Sequence, residues 1–150
     1  MRKNLLLLLL TIFCISCRND IVYSRFNAIP SKEWHMDSAQ CFDYRIVDQT
    51  LDYRLIVTVR HTERYPYQNM WLFLGDSLHT DTIEFYLADD RGQWLGDKHS
   101  GLIEMPVLYE EHYHFPDTGI YSLSVRHGMR DSILNGIIDI GLEIISNGKE

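Results

Sequence analysis

The chain has 150 residues, 45% of them hydrophobic, and a formal charge of −7, which suits one domain with a single apolar core and is too short for two ordinary domains. Dropping Arg2 and Lys3 with a leader makes the remainder more acidic still, and no basic run follows, which argues against nucleic acid or charge-driven adhesion to anionic lipid.

The first predicted element is an export signal over residues 1–16. Met1, Arg2 and Lys3 form a basic start, and the apolar run at 5–15 is too short to span a bilayer as a stable helix. Ser16 before Cys17 offers a lipoprotein peptidase a small residue ahead of the obligatory cysteine, whereas Phe13 before Cys14 does not. Cys17 is therefore the expected lipidated N-terminus, and two or more acyl chains, at about 0.8 kcal/mol per buried methylene, make a lasting anchor. With Cys14 removed and Cys17 acylated, Cys41 alone remains and no internal disulfide can form. Residues 17–36 show no sustained period and are expected to be a tether, leaving 37–150 as the folded domain.

From there the dominant period is two. Over 52–61, Tyr53, Leu55, Val57 and Val59 alternate with Asp52, Arg54, Thr58 and Arg60, the signature of a half-buried strand. The pattern recurs at 120–127 through Tyr121, Leu123 and Val125, and at 137–145 through Ile138, Ile140, Leu142 and Ile144. Further strands are predicted at 41–48, 69–74, 82–88 and 93–96, with weaker ones near Leu102 and Tyr113 and a helical turn over 129–134. Turns at Tyr65-Pro66-Tyr67, Gly75-Asp76, Asp89-Asp90-Arg91-Gly92, Pro116-Asp117-Thr118-Gly119 and Asn135-Gly136 separate them. About seven to nine short strands with this punctuation predict an all-β fold, a single antiparallel β-sandwich.

Chemistry is sparse. His112 and His114, two apart on a strand, share a face that Glu110 could join, but no other spacing completes a metal site, so they are read as solvent-facing or interface histidines. Asp89, Asp90 and Asp97 lack the ligand spacing of a calcium loop and read as a hairpin tip. Cys41 has no partner for nucleophilic work and is expected to be a buried or edge-strand thiol; Ser100 and Ser132 lack a nucleophile elbow. Neither an enzyme activity nor a cofactor or metal is expected. Aromatics offer the one binding feature: Tyr65, Tyr67, Trp71 and Phe73 gather around Pro66, with Trp94 in a second turn. Trp71 and Phe73 share strand parity and are expected in the core, while Tyr65 and Tyr67 are expected outside, where such rings can anchor a protein or stack on sugars.

The run Arg64-Tyr65-Pro66-Tyr67-Gln68-Asn69-Met70-Trp71-Leu72-Phe73 resembles the gliding motility lipoprotein GldH family. Val22-Tyr23, Ile29-Pro30 ahead of Trp34, Asp81-Thr82 and Gly92-Gln93-Trp94-Leu95-Gly96 match in order, followed by a C-terminal run from Gly119 through Arg130, Leu134 and Gly136 to Gly141-Leu142. Cys14 and the stretch 97–101 depart from the family pattern. The resemblance implies a lipid-anchored component of the gliding and type IX secretion apparatus, without catalytic residues or cofactor, assembling or stabilising an envelope complex, with the outer membrane facing the periplasm as the expected location. Tyr65, Pro66, Tyr67 and Trp94 are the expected partner contacts, and a surface lipoprotein whose sandwich binds glycans is the alternative.

Overall fold

The computed structural model describes residues 20–76 and 79–147, so the expected signal and Cys17 lie outside the described residues. Eleven strands form within them: β1 (Asp20–Ala28), β2 (Glu33–His35), β3 (Gln40–Ile46), β4 (Asp52–His61), β5 (Asn69–Gly75), β6 (Thr80–Tyr86), β7 (Asp97–His99), β8 (Leu102–Tyr113), β9 (Gly119–His127), β10 (Ile133–Asn135) and β11 (Ile137–Asn147). A five-stranded sheet runs β1-β11-β4-β8-β7, a four-stranded sheet runs β3-β9-β5-β6, and β10 pairs with β2 as a ribbon. Every pairing is antiparallel, giving the all-β sandwich that the period-two pattern predicts.

Alternation explains the core. The larger sheet turns inward Leu55, Val57 and Val59 of β4 and Ile140, Leu142 and Ile144 of β11. The smaller contributes Phe42, Tyr44 and Ile46 of β3, Met70, Leu72 and Leu74 of β5, and Leu123 and Val125 of β9. The ribbon places Trp34 opposite Leu134, both fully buried, and the Trp34 indole N–H donates to the Ser38 carbonyl at 2.8 Å. Phe115 gathers a second aromatic group, with ring centroids 4.7 Å from both Tyr113 and Tyr121 and 5.2 Å from Tyr53. Buried aromatics of this kind add specific edge-to-face contacts to their area burial.

Five expectations are corrected. The tether expected over 17–36 is, from Asp20 onward, ordered β-structure: β1 pairs with β11 from Asp20 opposite Ser146 to Ala28 opposite Asp139, and β2 joins the ribbon. As an edge strand β1 leaves most of its side chains exposed, so it carries no hydrophobic alternation and is held by its backbone ladder. Residues 93–96 form no strand beyond a bridge between Ala88 and Trp94. The two weak strands near Leu102 and Tyr113 are one, β8, and the expected helical turn at 129–134 is irregular chain leading into β10. At the start of β11 a register shift between Ile137 and Asp139 turns Ile137, rather than Ile138, into the core, the usual effect of an inserted bulge residue.

β1 is also held from the outer face. The Arg60 guanidinium lies 3.6 Å from the Phe26 ring centroid, and Arg60 Nε donates to Glu104 Oε2 at 2.6 Å. The Phe26 ring fills the space over Gly141, where an added Cβ would come within 2.4 Å of Phe26 Cε1. Gly141→Val should therefore displace Phe26 and loosen β1, lowering stability by about 1–3 kcal/mol in urea unfolding and speeding hydrogen exchange in β1.

Candidate interaction surface

Tyr65, Pro66 and Tyr67 lie in the loop joining β4 to β5, and Trp94 lies in the loop joining β6 to β7. The first loop is fastened where it leaves β4: Thr62 N–H donates to the Gly136 carbonyl at 2.8 Å and Tyr65 N–H to the Thr62 carbonyl at 3.2 Å. Gly136 has φ of +86°, and a Cβ there would stand 2.7 Å from the Tyr65 nitrogen, so both its conformation and its surroundings require glycine. The second loop turns at Asp89, whose Oδ1 accepts from Arg91 N–H at 2.9 Å and Gln93 N–H at 2.8 Å, the hairpin tip expected from its Asp-rich sequence.

These fastenings bring all four predicted contact residues to one open depression of about 370 Å³. Their exposure differs from expectation. Tyr65 is only 3% exposed; its ring packs into the core and its hydroxyl donates to the Asn69 carbonyl at 2.8 Å, so it supports the floor instead of projecting. Burial pushes its hydroxyl pKa well above the ordinary tyrosine range. Tyr67 is half-buried, 5.9 Å from the Tyr65 ring, and its hydroxyl donates to Asp131. Pro66 is exposed, and Trp94 rests edge-on against His61 at 4.7 Å.

Trp71 and Phe73 are inverted as well. β5 is apolar on both faces, and Met70, Leu72 and Leu74 take the core, leaving Trp71 38% and Phe73 42% exposed on the outer face. Phe73 packs on Gly128, where a Cβ would stand 2.9 Å from its ring, and Trp71 borders a second cleft of about 390 Å³ with Asn69, Met129, Arg130 and Asp131. Tyr67 lines both concavities, joining them into one aromatic surface. Sequence reasoning missed the second cleft because it assigned β5 the wrong inward face, and a strand apolar at every position from Met70 to Leu74 carries no period to correct that choice.

The other candidates are placed as follows. His112 Nδ1 lies 2.6 Å from Asp52 Oδ2 and His114 Nδ1 3.8 Å from Asp52 Oδ1, with both imidazoles largely exposed. Among the described residues no three His, Cys, Asp or Glu side chains are grouped to hold a metal. Cys41 is exposed on β3, an edge strand of the smaller sheet, and not buried. His61 and His127 are buried in the core, where each donates one ring N–H to a backbone carbonyl, Thr62 at 3.0 Å and Trp34 at 3.1 Å.

With the geometry described, relatives can be compared. The GldH lipoprotein family profile matches residues 21–144, which is most of the chain. The chain belongs to the GldH lipoprotein family. It is 32% identical over 141 residues to a gliding motility lipoprotein GldH homolog of Christiangramia forsetii, covering 86% of each chain. It is 29% identical over 151 residues to the gliding motility lipoprotein GldH of Flavobacterium johnsoniae, covering 93% of each. A solved structure, dimeric latent PorU from Porphyromonas gingivalis, overlaps with a TM-score of 0.37 at 6% identity, over 89% of this chain and 14% of that one, a likeness too weak to bear on fold or function. The GldH match begins inside β1 and ends inside β11, so the family unit includes the first strand that sequence periodicity had left as tether.

Two predictions follow from this geometry. Leu72→Ala should cost about 2–5 kcal/mol in urea unfolding, while Phe73→Ala costs about 1 kcal/mol or less; similar losses would mean that β5 buries both faces. In an NMR titration, His112 should protonate above the ordinary histidine value, because Asp52 bonds and attracts its charged form, and Asp52→Asn should return it toward that value. His61 and His127 should protonate below it because burial penalises their charge. The signs oppose: the His112 contribution is complete below the unfolded-state pKa of about 6.5 and is lost as pH rises through its folded value, whereas the buried pair are neutral at higher pH and lose stability as pH falls below about 6.5.

Proposed function

We propose that this protein is a non-enzymatic, lipid-anchored interaction domain that assembles or stabilises a complex of the gliding and type IX secretion apparatus at the outer membrane, facing the periplasm. The observation that carries the reading is the aromatic surface through Pro66, Tyr67, Trp94 and Trp71, built on a sandwich that holds these side chains between two β-loops and a sheet face. Membership of the GldH lipoprotein family supports the envelope setting. Acylation at Cys17 restricts the domain to a membrane surface and raises its effective concentration for other envelope proteins there. Close behind the acylated cysteine, β1 enters the larger sheet at Asp20, so the anchor leaves the domain little reach and the partner is expected close to the bilayer.

A second reading, glycan binding, is favoured by the Trp71 cleft, where an exposed indole lies beside Asn69, Arg130 and Asp131. Rings over sugar faces flanked by polar side chains are a common arrangement for oligosaccharides.

Mild crosslinking in native cells, recovery of the tagged protein from membranes and mass spectrometry of its partners distinguish the readings. Co-recovered envelope proteins that disappear in Cys17→Ala, with the protein itself released from the membrane fraction, are the expected result. Recovery of no envelope protein, together with quenching of Trp71 fluorescence by polysaccharide and loss of that quenching in Trp71→Ala, would replace the assembly reading with the glycan one.

A further inference from the structure

The sandwich ends in several strand edges, and all but one carry a feature that discourages pairing with another chain. β1 is bulged against β11 between Ile21 and Tyr23, and Asn27 Nδ2 reaches from it to the Cys41 carbonyl at 3.0 Å, bridging to β3. β7 has only three residues, and β8 beyond it carries Pro106. Short edges, bulges, proline and cross-sheet cover are the usual protections of a sheet edge. β3 pairs just as regularly with β9, but its outer flank lies against β1 through the Asn27 bridge. β6 has no such neighbour: its seven residues pair in unbroken register with β5 from Thr80 opposite Gly75 to Tyr86 opposite Asn69, without glycine, proline or lysine. Among the described residues no strand lies on its other flank.

The chain itself begins a strand in that position and then abandons it. Just past β6, Ala88 N–H points to the Gln68 carbonyl at 3.1 Å, on the flank that continues β5. The neighbouring Leu87 carbonyl and Asp89 N–H point the opposite way, to Leu95 at 2.9 Å and Gln93 at 2.8 Å. Leu95 thus lies where a strand beside β6 would begin. At Gly96 the chain leaves for the other sheet, pressed so close to β8 that an added Cβ would meet the Glu104 carbonyl oxygen at 2.3 Å, and Asp97 opens β7. The position beside Thr80–Tyr86 is left with backbone N–H and C=O groups facing outward.

We propose that this vacant position receives an extended, basic segment of another envelope protein, added as a strand to the outer flank of β6. The inference rests on the assembly reading above and names its contact. Main-chain hydrogen bonds to an edge strand are a general mode of peptide capture. The occupant is basic because β6 carries Asp81 and Glu84, which accept from the neutral donors Tyr109 Oη and Asn69 Nδ2 at 2.6 Å each, while β6 itself has no cation, in a chain of charge −7. Two copies joined through β6 would bring four carboxylates into one short ladder with no cation from either strand, so self-pairing gains no ion pair and is disfavoured. Tyr86, 56% exposed at the end of the strand and paired with Asn69, supplies an aromatic contact beside the cleft that Asn69 and Trp71 line.

The test is site-resolved crosslinking of the full-length protein in its native membrane, with a photoreactive phenylalanine analogue at Thr82 or, as control, at the exposed Val47. An adduct with another protein at Thr82 and none at Val47 is expected. Thr82→Lys combined with Glu84→Lys should weaken general crosslinking to that protein about tenfold or more, by like-charge repulsion, with an unchanged urea midpoint showing that the sandwich is intact. Partners recovered by general crosslinking but no Thr82 adduct would overturn the strand site and leave the assembly reading standing. A Thr82 adduct only between two copies of the chain would overturn it in favour of self-pairing, unweakened general crosslinking in the lysine variant would remove the basic occupant, and no partner by either route would remove the assembly reading as well.

Discussion

The ladder between β4 and β11 is the constraint from which the rest of the sandwich follows. It runs from Asp52 opposite Asn147 to His61 opposite Ile137 at the heart of the larger sheet, and each strand carries a second neighbour, β8 on one side and β1 on the other. Because side chains alternate, fixing this register commits Leu55, Val57 and Val59 and their partners Ile144, Leu142 and Ile140 to the same face. A slip of one residue in either strand would send its three outward and bring Arg54 and Arg60 of β4, or Glu143 of β11, into the core, at a cost no small domain could carry. The same ladder sets the candidate interaction surface. Where it ends, Thr62 bonds to Gly136, and from that fastening the chain folds Tyr65 under the depression and leaves Pro66 and Tyr67 at its rim.

How much of this was legible in the sequence depended on how many faces each strand shows to water. β4 and β9 are half-buried, so their period-two pattern named both the strands and their inward residues correctly. β5 fails that test because Trp71 and Phe73 are as apolar as Met70, Leu72 and Leu74, and hydrophobicity alone cannot choose between two such faces. β1 fails for the opposite reason: an edge strand held by backbone bonds and one ring over Gly141 shows almost no apolar alternation, so it reads as linker. The predicted contact residues were brought together as a group, but Tyr65 was misjudged, because a tyrosine beside proline in a turn gives no sign that a backbone carbonyl waits below for its hydroxyl.

The polar groups divide by what burial does to them. In the core, His61 and His127 are kept neutral by desolvation and each spends one ring N–H on a carbonyl, so they act as shaped, singly bonded core residues. At the surface, Asp52 draws His112 toward its charged form and ties the end of β8 to the start of β4. Histidines that looked alike in the sequence thus respond to acid in opposite directions. His112 on β8 and His114 just past its end both meet the Asp52 carboxylate across the ladder, at 2.6 and 3.8 Å.

Anchoring and edge geometry together limit what this domain can do. If Cys17 is acylated, three residues separate the lipid from β1, so the larger sheet is held close to the bilayer and cannot search a wide volume for partners. Recognition then has to use what the domain already presents, and the rigid features it presents are sheet edges and the aromatic surface beside them. Edges that are bulged, short, proline-bearing or bridged are closed by construction, and β6 alone among the described strands keeps a regular flank next to that surface. An isolated protein gains nothing from leaving such a strand bare, since exposed edges invite aggregation, whereas a component of a fixed assembly gains a contact that needs no movement of its own. The bare flank of β6 is therefore most simply understood as one half of an interface, with its charge selecting the other half.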